Sequence, residues 1–268
     1  MHAISHLRTH ATLSSSTTRK AFLSIFCVFN SHYSSIFFNL DKIADTSSPY
    51  PHMMPSNEVF IEWMKKLRIR KDDLIICYDH LGCFGSPRAW LTFLTFNAKN
   101  VKVLNGGLQA WKNRGHPTVT NGKGDGFELL DPDKSDSYSY LKQEQKVLGL
   151  KEVYELVKKV AANPGSHFII DARPNARFIG AVEEPRAGLR RGCIPGSINI
   201  PFQDMLENMH MKKLEVLKSI FAEKGVDLAK PVTATCGSGM TACIILLALY
   251  RLGVRDQTLY DGSWAEYV

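Results

Sequence analysis

KPVTATCGSGMTACIILLALYRLG (residues 230–253) reads as a strand, a sharp turn and a long apolar helix. That order decides the fold class. Val232, Thr233, Ala234 and Thr235 form a short run of strand formers ending at Cys236, and Gly237 and Gly239 follow before an apolar stretch from Thr241. A strand feeding a helix through a glycine turn is the building unit of an α/β sheet. In open α/β sheets ligands gather at the carboxyl ends of the strands, where loops meet helix N-termini. Cys236 occupies such an end.

The same order occurs earlier in the chain. DDLIICYD (72–79) reads as a buried strand, SPRAWLTFLTF (86–96) as a helix with proline in its first turn, and VKVLNGG (101–107) as a strand with a glycine turn. LQAWKNRG (108–115) is then a short helix ended by glycine. After the opening stretch come QTLYDGS (257–263) and WAEYV (264–268), so NGGLQAW (105–111) lies over DGSWAEY (261–267) and Asp79 falls near the place of Cys236. A period of this kind is a duplicated unit. Two α/β units are expected, each with a mostly parallel sheet and helices on its faces. Between them, TNGKGDGFELLDPDKSDSYSYLKQEQ (120–145) is rich in Gly, Asp, Ser and Lys and reads as an exposed linker. The second unit opens near Val147 with an amphipathic helix over 148–163, and residues 203–225 are expected to be mostly helical.

Composition bounds the function. The chain has 268 residues, 44% hydrophobic and 22% charged, enough to bury a real core in one or two domains. Its net charge of +7 is scattered rather than gathered into an aromatic-laced stripe, which disfavours nucleic acid as a partner. Six cysteines at 27, 77, 83, 193, 236 and 243 are too sparse for a disulfide scaffold and contain no Cys-x-x-Cys pair, so no structural zinc is expected. Before Asp41 the chain has no Asp or Glu but carries Arg8, Arg19, Lys20 and many Ser and Thr, the composition of a mitochondrial presequence. AFLSIFCVF (21–29) also suits a signal-peptide core and is too short to span a bilayer.

Two readings of Cys236 follow from the local pattern. A lone cysteine packs as a small hydrophobe in most proteins. Against that, two glycines beside it let successive N–H groups curl toward the sulfur, a nest backed by the helix dipole that favours an anionic sulfur. A phosphatase cradle of the Cys-x5-Arg type would need arginine at 242, where the chain has Ala242. The loop has no charged side chain from Cys236 to Thr241, so a substrate anion must be met from outside it. DARPNARFIGAVEEPRAGLRRGCIPGS (171–197) supplies Arg173, Arg177, Arg186, Arg190 and Arg191, whose forked guanidinium groups suit carboxylates. Arg173 also suits a structural pair with Asp171, and Arg190 and Arg191 read as solvated.

ATCGSGMTAC (234–243), YDGSW (260–264), DARPNARF with EEPR (183–186), GCIPGSINIPF (192–202) and DKIADTSSPYPHMMP (41–55) together resemble the tandem-rhodanese sulfurtransferases, from about Ser35 to Val268. The neutral Cys-Gly-Ser-Gly-x-Thr loop is similar to that of the members that use 3-mercaptopyruvate; thiosulfate-preferring relatives carry basic residues just after the cysteine. The resemblance implies two rhodanese-like domains, the first truncated at its N-terminus. Their expected layout is an atypical segment at 1–34, a non-catalytic domain at 35–119, the linker at 120–146 and the catalytic domain at 147–268. It implies Cys236 as a nucleophile that carries sulfur as a persulfide, with Gly237, Gly239, Met240 and Thr241 shaping the cradle. Arg177 and Arg186 would grip the carboxylate and keto oxygen of the donor, and Ser238, His52 and Asp41 would form a proton relay. Read alone, His52 is an ordinary loop histidine and Asp41 a turn residue. No metal or organic cofactor is implied. The implied acceptor is a thiol such as thioredoxin, or cyanide, with no membrane partner and a mitochondrial or cytoplasmic location. Alternatives are a thiosulfate:cyanide sulfurtransferase and a non-catalytic rhodanese-like interaction module. The sequence departs from the family in two places. The usual first strand and helix upstream of residue 35 have no counterpart, and Cys193 stands where histidine is usual.

Overall fold

The computed structural model describes residues 35–119, 138–143 and 146–268, together with the backbone of two short strands at 13–14 and 24–28. Most of the segment expected as a presequence and most of the expected linker lie outside the described residues. The chain divides into two compact units: Met1–Ile43 with Asn57–Leu141, and Ala44–Ser56 with Lys142–Val268. The stretch from 44 to 56, which carries His52, therefore belongs with the unit that holds Cys236.

In the first unit the strands are β1 (Leu13–Ser14), β2 (Ser24–Val28), β3 (Ser35–Asn39), β4 (Leu74–Asp79), β5 (Asn100–Val103) and β6 (Thr118–Val119). The helices are α1 (Asn57–Leu67), α2 (Ser86–Thr95) and α3 (Gly107–Asn113). Four strands form one sheet in the order β3-β2-β4-β5, with β4 and β5 parallel and β2 antiparallel to both of its neighbours. The sequence reading left this sheet short of strands; the backbone of 24–28 instead supplies an inner one. Aromatic packing fills the core, with the rings of Phe60 and Phe96 stacked at 3.9 Å and those of Phe38 and Phe93 tilted at 44° with centroids 4.9 Å apart. Each such buried ring contributes roughly 1.5–3 kcal/mol from area alone. Tyr140, which the sequence places in an exposed linker, is buried instead. Its ring stands edge-on to Phe60 at 5.1 Å and its hydroxyl donates to the Ile69 carbonyl at 3.0 Å.

The second unit contains β7 (Val147–Leu148), α4 (Leu150–Ala162), β8 (Phe168–Asp171), α5 (Asn175–Phe178), β9 (Ser197–Asn199), β10 (Leu206–Glu207) and β11 (His210–Met211). It continues with α6 (Leu214–Glu223), β12 (Val232–Thr235), α7 (Ala242–Arg251), β13 (Gln257–Tyr260) and α8 (Ser263–Tyr267). Its five-stranded sheet has the order β7-β13-β12-β8-β9, and every pairing is parallel. Cys236 thus follows the central strand. α7 is apolar on every face and buried from Ala242 to Leu249, as a helix inside a core must be. Residues 203–225 are helical at 203–205 and over α6, 13 of 23 positions, but a hairpin interrupts them. A 3-10 turn at Phe202–Met205 and the β10–β11 hairpin precede α6. The hairpin turns on Asn208 and Met209, both at positive φ (48° and 62°), the backbone of the favoured two-residue turn. Among the described residues no helix is long and apolar enough to cross a membrane.

Candidate active site

Cys236 is the first residue after β12 and is 2% exposed. Its loop is braced from behind by the segment that follows β13. Ser263 Oγ accepts the N–H of Cys236 at 3.2 Å and of Gly239 at 3.0 Å, and donates to the Tyr260 carbonyl at 2.8 Å. Trp264 N–H donates to the Cys236 carbonyl at 3.0 Å and Ala265 N–H to the Gly237 carbonyl at 3.1 Å. Gly239 sits at φ 71°, the left-handed bend that lets the loop curl back. Not every amide therefore turns toward the sulfur, as the sequence reading expected, because two of them are spent on Ser263. Among the described residues, the N–H groups of Gly237, Ser238, Met240 and Thr241 have no protein acceptor. Thr241 makes no side-chain cap for α7; its carbonyl accepts the Ile244 N–H at 3.1 Å. The Met240 carbonyl accepts from Cys243 N–H at 3.2 Å. Cys243, one turn on, is buried with its thiol donating to the Gly239 carbonyl at 3.2 Å, a structural cysteine.

A charged cluster flanks this loop. Asp171 ends β8, which pairs directly with β12. Arg173 is fully buried. It holds both Asp171 oxygens, meets Glu184 Oε1 through Nη1 at 2.8 Å, and donates to the Gly192 carbonyl at 2.8 Å. Its guanidinium also lies over the Trp264 ring, 4.6 Å from the centroid. Glu184 is buried as well and bridges to Arg177, which binds it through Nε at 3.2 Å and through Nη2. Two guanidinium groups and two carboxylates thus compensate each other, the condition for burying such charges. Burial pushes the Asp171 carboxyl up, against the hydrogen bonds and charge of Arg173.

Arg177 is the member that reaches the loop. A β-carbon built on Gly237 would lie 2.8 Å from Arg177 Nη2, so the guanidinium occupies the space a side chain there would need. Arg177 keeps 22% of its side-chain surface exposed, and among the described residues its Nη1 has no acceptor. Arg186 lies exposed in the loop between α5 and β9, with no ion pair among the described residues. Arg191 pairs with Glu183 at the surface. Cys193 is a free, partly buried thiol in the same loop.

His52 stands in a turn at φ 61°, a strained conformation for a non-glycine residue. Two hydrogen bonds hold that turn. Asp45 N–H donates to the Met53 carbonyl at 3.0 Å, and Met54 N–H donates to the buried carboxylate of Asp261. Asp261 lies two residues before Ser263, so one short segment anchors both the His52 turn and the Cys236 loop. Ser238 is partly exposed in that loop. Asp41 is exposed in the first unit, its N–H bonded to Asn39 Oδ1 at 3.0 Å in the turn after β3. Sequence reasoning missed Ser263, Asp261 and Glu184. The first two lie in a motif it did quote, YDGSW, with partners distant in sequence, and Glu184 lies in the quoted EEPR. Among the described residues no group of His, Cys, Asp or Glu is placed to hold a metal ion.

The rhodanese-like domain family matches residues 34–114 and 149–268. The chain belongs to the rhodanese family. This rhodanese is 37% identical over 233 residues to the 3-mercaptopyruvate sulfurtransferase of Escherichia coli K12, covering 87% of the chain and 78% of that relative. It is 38% identical over 234 residues to the thiosulfate sulfurtransferase of Gallus gallus, covering 86% and 76%. The crystal structure of SseA from Escherichia coli, described as a 3-mercaptopyruvate sulfotransferase, superposes with a TM-score of 0.72 at 34% identity, over 85% of this chain and 81% of that one.

Proposed function

We propose that this rhodanese is a sulfurtransferase that takes sulfur from 3-mercaptopyruvate onto Cys236 and passes it to a thiol or to cyanide. The Cys236 thiolate attacks the donor's thiol sulfur. A sulfur–sulfur bond forms and the carbon–sulfur bond breaks, its electron pair leaving as the enolate of pyruvate. The proton of the donor thiol ends on that carbon, and the product is pyruvate beside a cysteine persulfide. The unclaimed amides of residues 237, 238, 240 and 241 suit the negative charge of the terminal sulfur. Arg177 binds the donor carboxylate with Arg186 as its second grip, and Ser238, His52 and Asp41 manage the proton. An acceptor thiolate such as that of thioredoxin then attacks the outer sulfur and releases the Cys236 thiolate.

The observation that carries this reading is the guanidinium of Arg177 packed against Gly237, a charge that Glu184 pairs on one side while Nη1 has no acceptor among the described residues, beside a loop with no charged side chain of its own. Such a charge suits an α-keto acid carboxylate better than it suits a purely structural loop. The likeness to the Gallus gallus enzyme supports a second reading, thiosulfate as donor. The neutral Gly237–Ser238 pair favours mercaptopyruvate. Intact mass after incubation with each donor tests both. A gain of one sulfur atom from mercaptopyruvate, lost in Cys236→Ser, supports the proposal. A gain from thiosulfate alone favours the second reading, and no gain from either donor on folded protein leaves an interaction module.

A further inference from the structure

The chain contains two copies of the same turn, and they are held in opposite ways. In the first unit Asp79 stands at the end of β4, where Cys236 follows β12 in the second. Its carboxylate reaches into its own loop and accepts the N–H groups of Gly82 at 2.7 Å, Phe84 at 3.1 Å, Gly85 at 3.0 Å and Ser86 at 2.8 Å. That loop is pinned from within, and its amides are consumed. Among the described residues no carboxylate fills the interior of the Cys236 loop, and the support comes from behind, through Ser263 Oγ.

The repeat also pairs Ser263 with Gly107. Gly107 sits at φ 57° and Ser263 at φ 54°, the same left-handed backbone. Glycine adopts it freely, whereas a serine there costs on the order of 1 kcal/mol. At Gly107 a β-carbon would meet the Asp79 carbonyl oxygen at 2.3 Å, so nothing but glycine fits beside the self-filled loop. At residue 263 the chain keeps a fully buried hydroxyl, in spite of the strain, where the loop holds a cysteine. The hydroxyl has one arrangement that satisfies it: two N–H groups in, one O–H out to Tyr260.

From this contrast we infer that Ser263 is the positioning residue of the sulfur-transfer site. By drawing the N–H groups of Cys236 and Gly239 onto one oxygen it holds the loop open without filling it, and so reserves the amides between and after them for an anionic sulfur. The inference rests on the sulfurtransferase reading for its consequence in turnover, and on the loop geometry alone for its consequence in cysteine reactivity.

Two variants separate positioning from mere stability. Ser263→Ala removes the oxygen and keeps the backbone strain. Ser263→Gly removes the oxygen and relieves the strain, so it should melt higher than Ser263→Ala. The expected result is that both variants, despite different melting temperatures, lose at least about tenfold in the single-turnover rate of sulfur uptake from mercaptopyruvate, with KM within about twofold of wild type. Both should also lose rate in iodoacetamide alkylation of Cys236, read by peptide mass. Wild-type alkylation in either folded variant, or a loss that follows melting temperature and is repaired in Ser263→Gly, would overturn the inference. If wild-type protein takes up no sulfur from either donor, the proposed function fails, and the alkylation comparison still decides the role of Ser263.

Discussion

The Arg177 guanidinium rests where a side chain on Gly237 would have to go, with Nη2 at 2.8 Å from that β-carbon position, and Glu184 ties it there. Glycine at 237 is needed less for its own conformation than for the space above it. Gly237→Ala should push the guanidinium off the loop and raise KM for mercaptopyruvate by roughly tenfold while the fold persists. Steady-state kinetics beside a circular-dichroism melt checks this; an unchanged KM would detach Arg177 from donor binding.

Glu184 carries the charge balance of the cluster. Glu184→Gln leaves Arg173 and Arg177 sharing one carboxylate inside the protein, and should cost about 3–5 kcal/mol of stability, since breaking a buried pair strands the remaining charge. Urea unfolding at neutral pH measures it. A loss near zero would mean that water reaches the cluster.

Arg186 differs from Arg177 in being exposed, so it adds little to the fold, and the role proposed for it is in binding the donor. Arg186→Gly should leave the unfolding midpoint within about 0.5 kcal/mol of wild type, as surface substitutions do. It should raise KM for mercaptopyruvate more than for thiosulfate, because only the former offers a carboxylate. Equal losses on the two donors would remove it from carboxylate binding.

Two partly buried histidines give the fold a pH dependence of known sign. Burial holds both His80 and His167 below their ordinary value of 6.5. Below pH 6.5 the unfolded chain then binds protons at these sites that the folded chain does not, so stability falls as pH drops from 6.5 toward the lowered folded values. His167, whose Nε2 meets Thr233 Oγ1 at 2.8 Å, tests it alone: His167→Gln should flatten the fall in unfolding free energy between pH 7 and 5. An unaltered slope would show that the ring is solvated in the folded state.

The Asp79 carboxylate satisfies four N–H groups, so Asp79→Ala should destabilise the protein on the order of 3 kcal/mol, with Asp79→Asn costing less because one acceptor oxygen remains. Differential scanning calorimetry distinguishes the two. Equal melting of wild type and Asp79→Ala would mean that the loop finds other acceptors.

The parts legible in the sequence were those governed by neighbours along the chain. The strand-turn-helix at 230–253 and its earlier copy stood out because periodicity and glycine placement are local. Arg173 pairing with Asp171 was readable from two residues at one strand end. What escaped depends on contacts across the fold. Ser263 reaches Cys236 over 27 positions and Asp261 reaches Met54 over 207, and no spacing rule links such pairs. Tyr140 sat in a polar stretch whose composition hid one deeply packed ring. The 206–211 hairpin was lost in a helical expectation because methionines and leucines there satisfied helix periodicity, while the turn residue Asn208 was passed over.

The self-filled loop of the first unit has a chemical corollary. A carboxylate cannot be oxidised to a sulfenic or sulfinic acid, alkylated by soft electrophiles or drawn into a mixed disulfide, as a reactive thiol can. At the place of Cys236 the first unit's turn therefore offers no sulfur to oxidise, and the thiol that its loop does carry, Cys83, is buried.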